Sequence, residues 1–349
     1  MAGGCGGRAN GAPGRQLLHR HGLIVGKFAP LHAGHELLIN VALAQCEQLS
    51  VWCYARPDFP DMPSPLRRGW LRQVFPAHLF PSLTLLPDAP NPPPDSSTSE
   101  VHNAYCRGVL ADWSVHPDAV FSSEAYGKGF AAALGAVHVA VDPERAQVPV
   151  SGTQLRRDVH GLRRFLNPLV YAHFVRRVAV LGAESTGKST LVRALAGHFG
   201  TVGVREYGRD VYERENGALA PQHFLEIAHG QRALEHEAAT SGQADRFLFC
   251  DTDAATTLMW SYLLTGTALP ELHALADACA ARYAHTFVCG TGVPFEQDGW
   301  RSNKAVRGVQ QAYVLQDLHT RRRAYTVLTG SVQERAAQVG AALGRDAGA

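Results

Sequence analysis

Val178-Ala179-Val180-Leu181-Gly182-Ala183-Glu184-Ser185-Thr186-Gly187-Lys188-Ser189 decides how half of this chain folds. A short apolar run leads straight into the spacing G-x-x-x-x-G-K-[ST], and a helical segment, 189–199, follows. Strand, glycine turn and helix are the context in which that spacing makes a phosphate-binding P-loop. Backbone N–H groups in such a turn form an anion nest. Lys188 is expected to reach the β- and γ-phosphates, and Ser189 to hold Mg²⁺. The triphosphate-binding set read here is Gly182, Glu184, Ser185, Thr186, Gly187, Lys188, Ser189 and Thr190.

Downstream residues extend this site. Asp251 closes the apolar run Phe247-Leu248-Phe249-Cys250, where a Walker B carboxylate would stand as a second metal-binding residue. A plain strand-end Asp is the ordinary alternative. Asp253 is a further candidate for metal or acceptor contact. Glu206 closes a predicted strand, 202–206, within Arg205-Glu206-Tyr207-Gly208-Arg209. A carboxylate there can accept the proton of an acceptor hydroxyl. Tyr207 and Arg209 are candidate substrate contacts, a base-stacking ring and a charge holder, with a surface ion cluster as the alternative. Asp298-Gly299-Trp300-Arg301-Ser302-Asn303 reads as a lid that brings Arg301 to the transferring phosphoryl group. Arg307 is a second candidate for that role.

A different phosphate motif lies far upstream: Gly26-Lys27-Phe28-Ala29-Pro30-Leu31-His32-Ala33-Gly34-His35, after the apolar run Leu23-Ile24-Val25. Spacing of three on a helix puts His32 and His35 on one face. A helix N-terminus beside them favours anions. Two imidazoles donating to phosphate oxygens can stabilise charge on a departing pyrophosphate without covalent catalysis. Two surface or capping histidines are the alternative. Ser151-Gly152-Thr153-Gln154-Leu155-Arg156 adds cap hydroxyls on Ser151 and Thr153, and a guanidinium on Arg156 that can clamp phosphates. The set for this site is Gly26, Lys27, Phe28, His32, His35, Ser151, Thr153 and Arg156, with His32, His35 and Arg156 catalytic.

Between the motifs, apolar runs alternate with helical patterns. Strands are predicted over 23–26, 49–55, 83–86, 119–122 and 137–141, with helices over 33–46, 65–75, 99–112 and 126–134. After a fresh start at 178–181 come strands 202–206, 247–250, 286–289 and 324–328, with helices over 189–199, 221–239 and 304–322. The expected fold class is α/β: two doubly wound parallel-sheet domains, the first Rossmann-like, the second of P-loop kinase type. Expected boundaries are a disordered leader over 1–20, a first domain over 21–175 and a second over 176–349. Residues 87–99, rich in Pro, Asp and Ser, must be a loop.

Composition sets outer bounds. The chain has 349 residues, 46% hydrophobic and 18% charged, with a net charge of +2. So small a charge gives no argument for nucleic acid. The seven cysteines, Cys5, Cys46, Cys53, Cys106, Cys250, Cys279 and Cys289, form no C-x-x-C pair. With no secretion signal and no membrane-length apolar run, a cytoplasmic protein is expected, with neither membrane nor nucleic acid as partner.

The histidine motif and the Ser151–Arg156 segment together resemble the nucleotidyltransferase superfamily with H-x-G-H and I-S-x-T-x-x-R signatures. Arg67 with Trp70-Leu71, Phe121-Ser122-Ser123-Glu124 and Val141-Asp142-Pro143-Glu144-Arg145 also match its pattern, and Lys27 departs from it. With Gly182–Ser189, Glu206–Arg209, Asp251-Thr252-Asp253 and Asp298–Ser302 added, nearly the whole chain resembles the bifunctional NadR-like family. That resemblance implies phosphorylation of ribosylnicotinamide to nicotinamide mononucleotide (NMN) by the second domain. It further implies adenylyl transfer from ATP to NMN by the first, giving NAD and pyrophosphate, with Mg²⁺ throughout. About twenty residues precede the first strand, so the helix-turn-helix of some relatives is not expected. Residues 87–104 hold no Trp to stack on a nicotinamide, though Tyr105 and Trp113 follow.

Two other readings stay open. One is a nucleotidyltransferase with another phosphorylated acceptor, fused to a nucleoside kinase. The other gives the P-loop domain an ATP-sensing, regulatory task. A homo-oligomer is compatible with all of them.

Overall fold

A computed structural model describes residues 17–292 and 304–346. The chain divides at Val170/Tyr171 into two compact units, each built on one parallel five-stranded sheet. Among the described residues no helix is long and apolar enough to cross a membrane.

The first unit contains β1 (His19–Gly26), β2 (Cys46–Cys53), β3 (Leu83–Leu85), β4 (Ala119–Ser122) and β5 (Val137–Ala140), in the order β3-β2-β1-β4-β5. Leu23 and Ile24 of β1 are fully buried, as expected of a strand covered on both faces. β1 starts four residues earlier than predicted. Its polar start, His19-Arg20-His21, pairs with β2 through His19↔Cys46 and His21↔Gln48, and Asp118 accepts from the Arg20 and His21 amides at 2.9 and 3.0 Å. Leu23, Trp52, Tyr54, Leu86, Cys106, Leu110, Val120 and Phe130 form a core beneath helix Ser99–Asp112. Burying each Leu, Val or Phe among them contributes roughly 1.5–3 kcal/mol.

The second unit contains β6 (Arg176–Leu181), β7 (Gly203–Val204), β8 (Phe247–Asp251), β9 (His285–Cys289) and β10 (Thr326–Leu328), in the order β10-β9-β6-β8-β7. Val178, Val180, Leu191, Leu195, Phe249, Phe287, Leu328 and Val339 fill its core. β7 is two residues long where five were predicted. It is an edge strand that pairs only with Phe249 and Cys250, so Glu206 lies beyond its end, in the link to the next helix. In each sheet the first strand of the unit is central, flanked by β2 and β4 or by β8 and β9. Open α/β sheets place their ligand crevice at the carboxyl ends of strands, where the strand order reverses.

Candidate functional site

Both phosphate motifs occupy the turn after such a central strand. In the first unit His32 is the N-cap of helix Ala33–Gln45 and His35 is its third residue. The rings stack with centroids 3.8 Å apart. His32 Nδ1 accepts from the Gly34 amide at 3.1 Å, and His35 Nδ1 accepts from the His32 amide at 3.4 Å. With each Nδ1 an acceptor, the neutral ring carries its proton on Nε2 and presents a donor there. Burial, reinforced by Arg145 and Arg156, lowers the His32 pKa from 6.5 to about 4. Burial, His32 and Arg145 hold His35 well below its ordinary value too. The pair is therefore a neutral double donor at pH 7. Gly34 permits the stack, because a Cβ there would lie 3.1 Å from His32 Cε1.

The Ser151–Arg156 segment joins this turn. Ser151 caps helix Gly152–Arg157 in a capping box with Gln154. Arg156 donates to the Ala29 carbonyl at 2.6 Å and to Thr153 Oγ1 at 2.9 Å, with its guanidinium over the Phe59 ring. Phe28 is buried against His35, 4.9 Å between centroids, and lines the turn from within. Lys27 is exposed and paired with Asp95 at 3.2 Å, which ties the motif to the 87–98 loop. Tyr105 pins that loop through the Pro90 carbonyl, while Trp113 packs edge-on against Trp52 and Tyr54 hydrogen-bonds His102 at 2.8 Å.

Sequence reasoning gave Arg67 no task of its own. Only 1% exposed, its guanidinium donates to the carbonyls of Met62, Lys27, Tyr54 and Ala55. It thereby fixes the turn that carries Lys27 and Phe28. Backbone carbonyls leave no trace in a sequence, and only the family pattern around Trp70-Leu71 drew notice to this arginine.

In the second unit Gly182 has φ +139°, and a Cβ there would lie 2.8 Å from the Cys289 carbonyl, so only glycine suits. Gly187, at φ +82°, begins helix Lys188–Phe199. Thr186 is buried with its hydroxyl on the Ala183 carbonyl, which Lys188 Nζ also meets at 3.0 Å. Thr190 is exposed on the first turn of the helix. Ser189 Oγ donates to Asp251 Oδ2, while Asp251 Oδ1 is buried with no hydrogen-bond partner among the described residues. Burial raises the Asp251 pKa against the opposing pull of Lys188 and Ser189. Burial likewise raises that of Glu206, with Lys188 opposing and Asp251 adding. Ser189 thus bonds Asp251, and Lys188 acts electrostatically on both Asp251 and Glu206.

Three further side chains hold the P-loop and had no sequence signature. Gln311 and Gln310, on helix Lys304–Thr320, accept from the Ala183 and Glu184 amides at 2.9 and 3.1 Å. Arg335, on helix Val332–Asp346, donates to the carbonyls of Thr186, Gly290 and Gly330. Arg209 is exposed, and its charge acts on both Glu206 and Asp251. Tyr207 rests against helix Pro221–Thr240. Asp253 is fully buried: Oδ1 caps helix Ala254–Thr265 and Oδ2 pairs with Arg323. Its carboxylate is committed to that helix start. The Asp298–Asn303 segment with Arg301 lies outside the described residues, and Arg307 donates to the Thr291 carbonyl at 2.9 Å.

A family model described as AAA domain matches residues 177–335. The trifunctional NAD biosynthesis/regulator protein NadR of Escherichia coli (strain K12) is 32% identical over 305 residues, which cover 80% of this chain and 71% of that protein. The chain belongs to the NadR family. The Salmonella typhimurium NadR is 31% identical over the same coverage. A solved NadR protein in complex with NR has a TM-score of 0.69 at 20% identity, covering 90% of this chain and 92% of that one. A NadR protein in complex with NAD and AMP-PNP gives 0.64 at 19% identity, with the same coverage. At those identities the two solved NadR proteins speak for the fold.

Proposed function

We propose that the chain is a bifunctional NAD-forming enzyme. Its first unit is a Rossmann-like nucleotidyltransferase that moves the adenylyl group of ATP to NMN and releases pyrophosphate. Its second unit is a P-loop kinase that phosphorylates ribosylnicotinamide to NMN. Supporting this reading is the observation that the parts of each motif meet: Arg156 donates to the Ala29 carbonyl in one unit, and Ser189 to Asp251 in the other. Membership of the NadR family supports the substrates.

In the first unit the neutral imidazoles of His32 and His35 offer Nε2–H groups to phosphate oxygens. Arg156, with the cap hydroxyls Ser151 and Thr153 and the turn Gly26-Lys27-Phe28, completes the triphosphate seat. The acceptor phosphate attacks the α-phosphorus, the pyrophosphate oxygen leaves, and donors placed on the growing charge lower the barrier. In the second unit Gly182, Glu184, Ser185, Thr186, Gly187, Lys188, Ser189 and Thr190 receive the triphosphate. Burial gives the Glu206 carboxylate more basicity than an exposed one, which suits it to take the acceptor hydroxyl's proton. Tyr207 and Arg209 flank the acceptor, and Arg301 steadies the transferring phosphoryl group. Asp253, committed to its helix, is left out of the acceptor site.

The unpartnered Asp251 Oδ1 beside Ser189 Oγ is a hard-oxygen pair that fits Mg²⁺. When bound there, Mg²⁺ would neutralise charge on the β- and γ-oxygens.

Purified protein with ATP, Mg²⁺ and ribosylnicotinamide should yield NMN and then NAD, followed by chromatography. Lys188→Ala should abolish NMN formation while leaving NMN-to-NAD conversion intact, and His35→Ala should do the reverse. Loss of both steps in both folded variants would refute two independent sites.

A further inference from the structure

Helix Pro221–Thr240 carries a glycine in its middle, where alanine would serve the helix better. The space that a side chain would fill is taken. A Cβ on Gly230 would lie 2.2 Å from Cε1, 2.3 Å from Cδ1 and 2.7 Å from Cζ of Tyr207. The next residue, Gln231, is 2% exposed. Its Oε1 accepts from the Tyr207 amide at 2.9 Å, and its Nε2 donates to the Asp251 carbonyl at 3.4 Å. Adjacent residues of one helix therefore grip Tyr207 twice, by ring and by amide, and one of them also spans to the Walker strand.

Tyr207 directly follows Glu206, in the link left when edge strand β7 stops at Val204. No ladder hydrogen bonds of the sheet fix that link. We propose that Gly230 and Gln231 are positioning residues of the kinase half: Gly230 seats the Tyr207 ring, and Gln231 sets the Glu206–Tyr207 link against the Asp251 strand end. This rests on the kinase reading above, with Glu206 as the proton acceptor. Neither residue touches substrate; they act through the placement of Glu206 relative to Asp251 and the P-loop.

The test uses the full chain. Gly230→Ala, Gln231→Leu, Tyr207→Ala and Tyr207→Ala/Gly230→Ala are compared for ribosylnicotinamide phosphorylation, affinity for a fluorescent ATP analogue, and melting temperature. Gly230→Ala should lower kcat by about ten- to a hundred-fold, since displacements near 1 Å have that effect. Nucleotide affinity should stay within about twofold of wild type, with the chain still folded. Adding Gly230→Ala to Tyr207→Ala should cost no further kcat, because the added methyl then meets no ring. Gln231→Leu should show the same split of kcat from nucleotide affinity, which keeps the idea testable should Gly230→Ala fold poorly. An active wild type beside unimpaired Gly230→Ala and Gln231→Leu variants overturns the positioning role. So does an equal Gly230→Ala penalty in the Tyr207→Ala background, or loss of nucleotide affinity in step with kcat. A wild type that forms no NMN at all sinks the kinase reading itself.

Discussion

Replacing Arg67 by Met keeps most of its volume and removes every donor. Four carbonyls lose the guanidinium as a donor: Met62, Lys27, Tyr54 and Ala55. The bonds to Met62 and Tyr54 are buried, whereas those to Lys27 and Ala55 lie where water can enter. A buried acceptor left unpaired costs about 1–3 kcal/mol, so the two buried ones together imply roughly 2–6 kcal/mol. Relief from desolvating the guanidinium offsets part of this and puts the expected loss at about 3 kcal/mol. For a unit of this size that corresponds to a fall in melting temperature on the order of 10 °C. Arg67→Lys should rescue little, because one ammonium cannot span four separated carbonyls. The same turn carries Lys27 and Phe28, so adenylyl transfer should drop about ten-fold or more, while phosphorylation of ribosylnicotinamide is unchanged. Differential scanning fluorimetry and a pyrophosphate-release assay read both effects. If Arg67→Met lost under about 1 kcal/mol and kept full adenylyl transfer, the guanidinium would not be what holds the turn.

Other outcomes follow from the same structure. His32 is held neutral, its pKa lowered from 6.5 to about 4, so its stabilising share is complete above pH 6.5 and is lost as pH falls towards 4, on the order of 3 kcal/mol. His32→Asn, which keeps a capping side chain, should flatten that part of the pH–melting profile; an unchanged profile would count against it. Asp251→Asn should abolish kinase turnover and the Mg²⁺ dependence of nucleotide binding, yet leave melting temperature equal or higher, because it removes a carboxylate that burial disfavours when ionised. A marked loss of stability would contradict this. Arg323→Met strands the buried carboxylate of Asp253 and should cost about 3–5 kcal/mol by chemical denaturation, with Asp253→Asn added to it recovering part.

Much of the fold was legible because the local signals were strong. The P-loop spacing, the apolar run ending in Asp251 and the alternation of strand and helix patterns each depend on a few neighbouring residues. Strand ends were read less well. The polar start of β1 is stabilised by Asp118, nearly a hundred positions away, and β7 is short because it has a partner on one side only. Asp253 looked like part of the chemistry because it stands two residues from Asp251; what it does depends on Arg323, seventy residues on. The supports of each site, Arg67, Gln310, Gln311, Arg335 and Gln231, act mostly on backbone atoms. Any stretch of chain supplies those atoms, so no local pattern could reveal the pairing. The spacing of His32 and His35 puts them side by side, but their tautomers follow from amides that only the cap geometry brings into reach.

Arg335 and Thr186 are 149 residues apart, yet one bonds directly to the other. The ribosome therefore releases the glycine motif long before the arginine that steadies it, and the motif's frame stays unfinished until helix Val332–Asp346 emerges. A chain cut after residue 330 would spare every residue of the glycine motif and still leave the Thr186 carbonyl without its arginine.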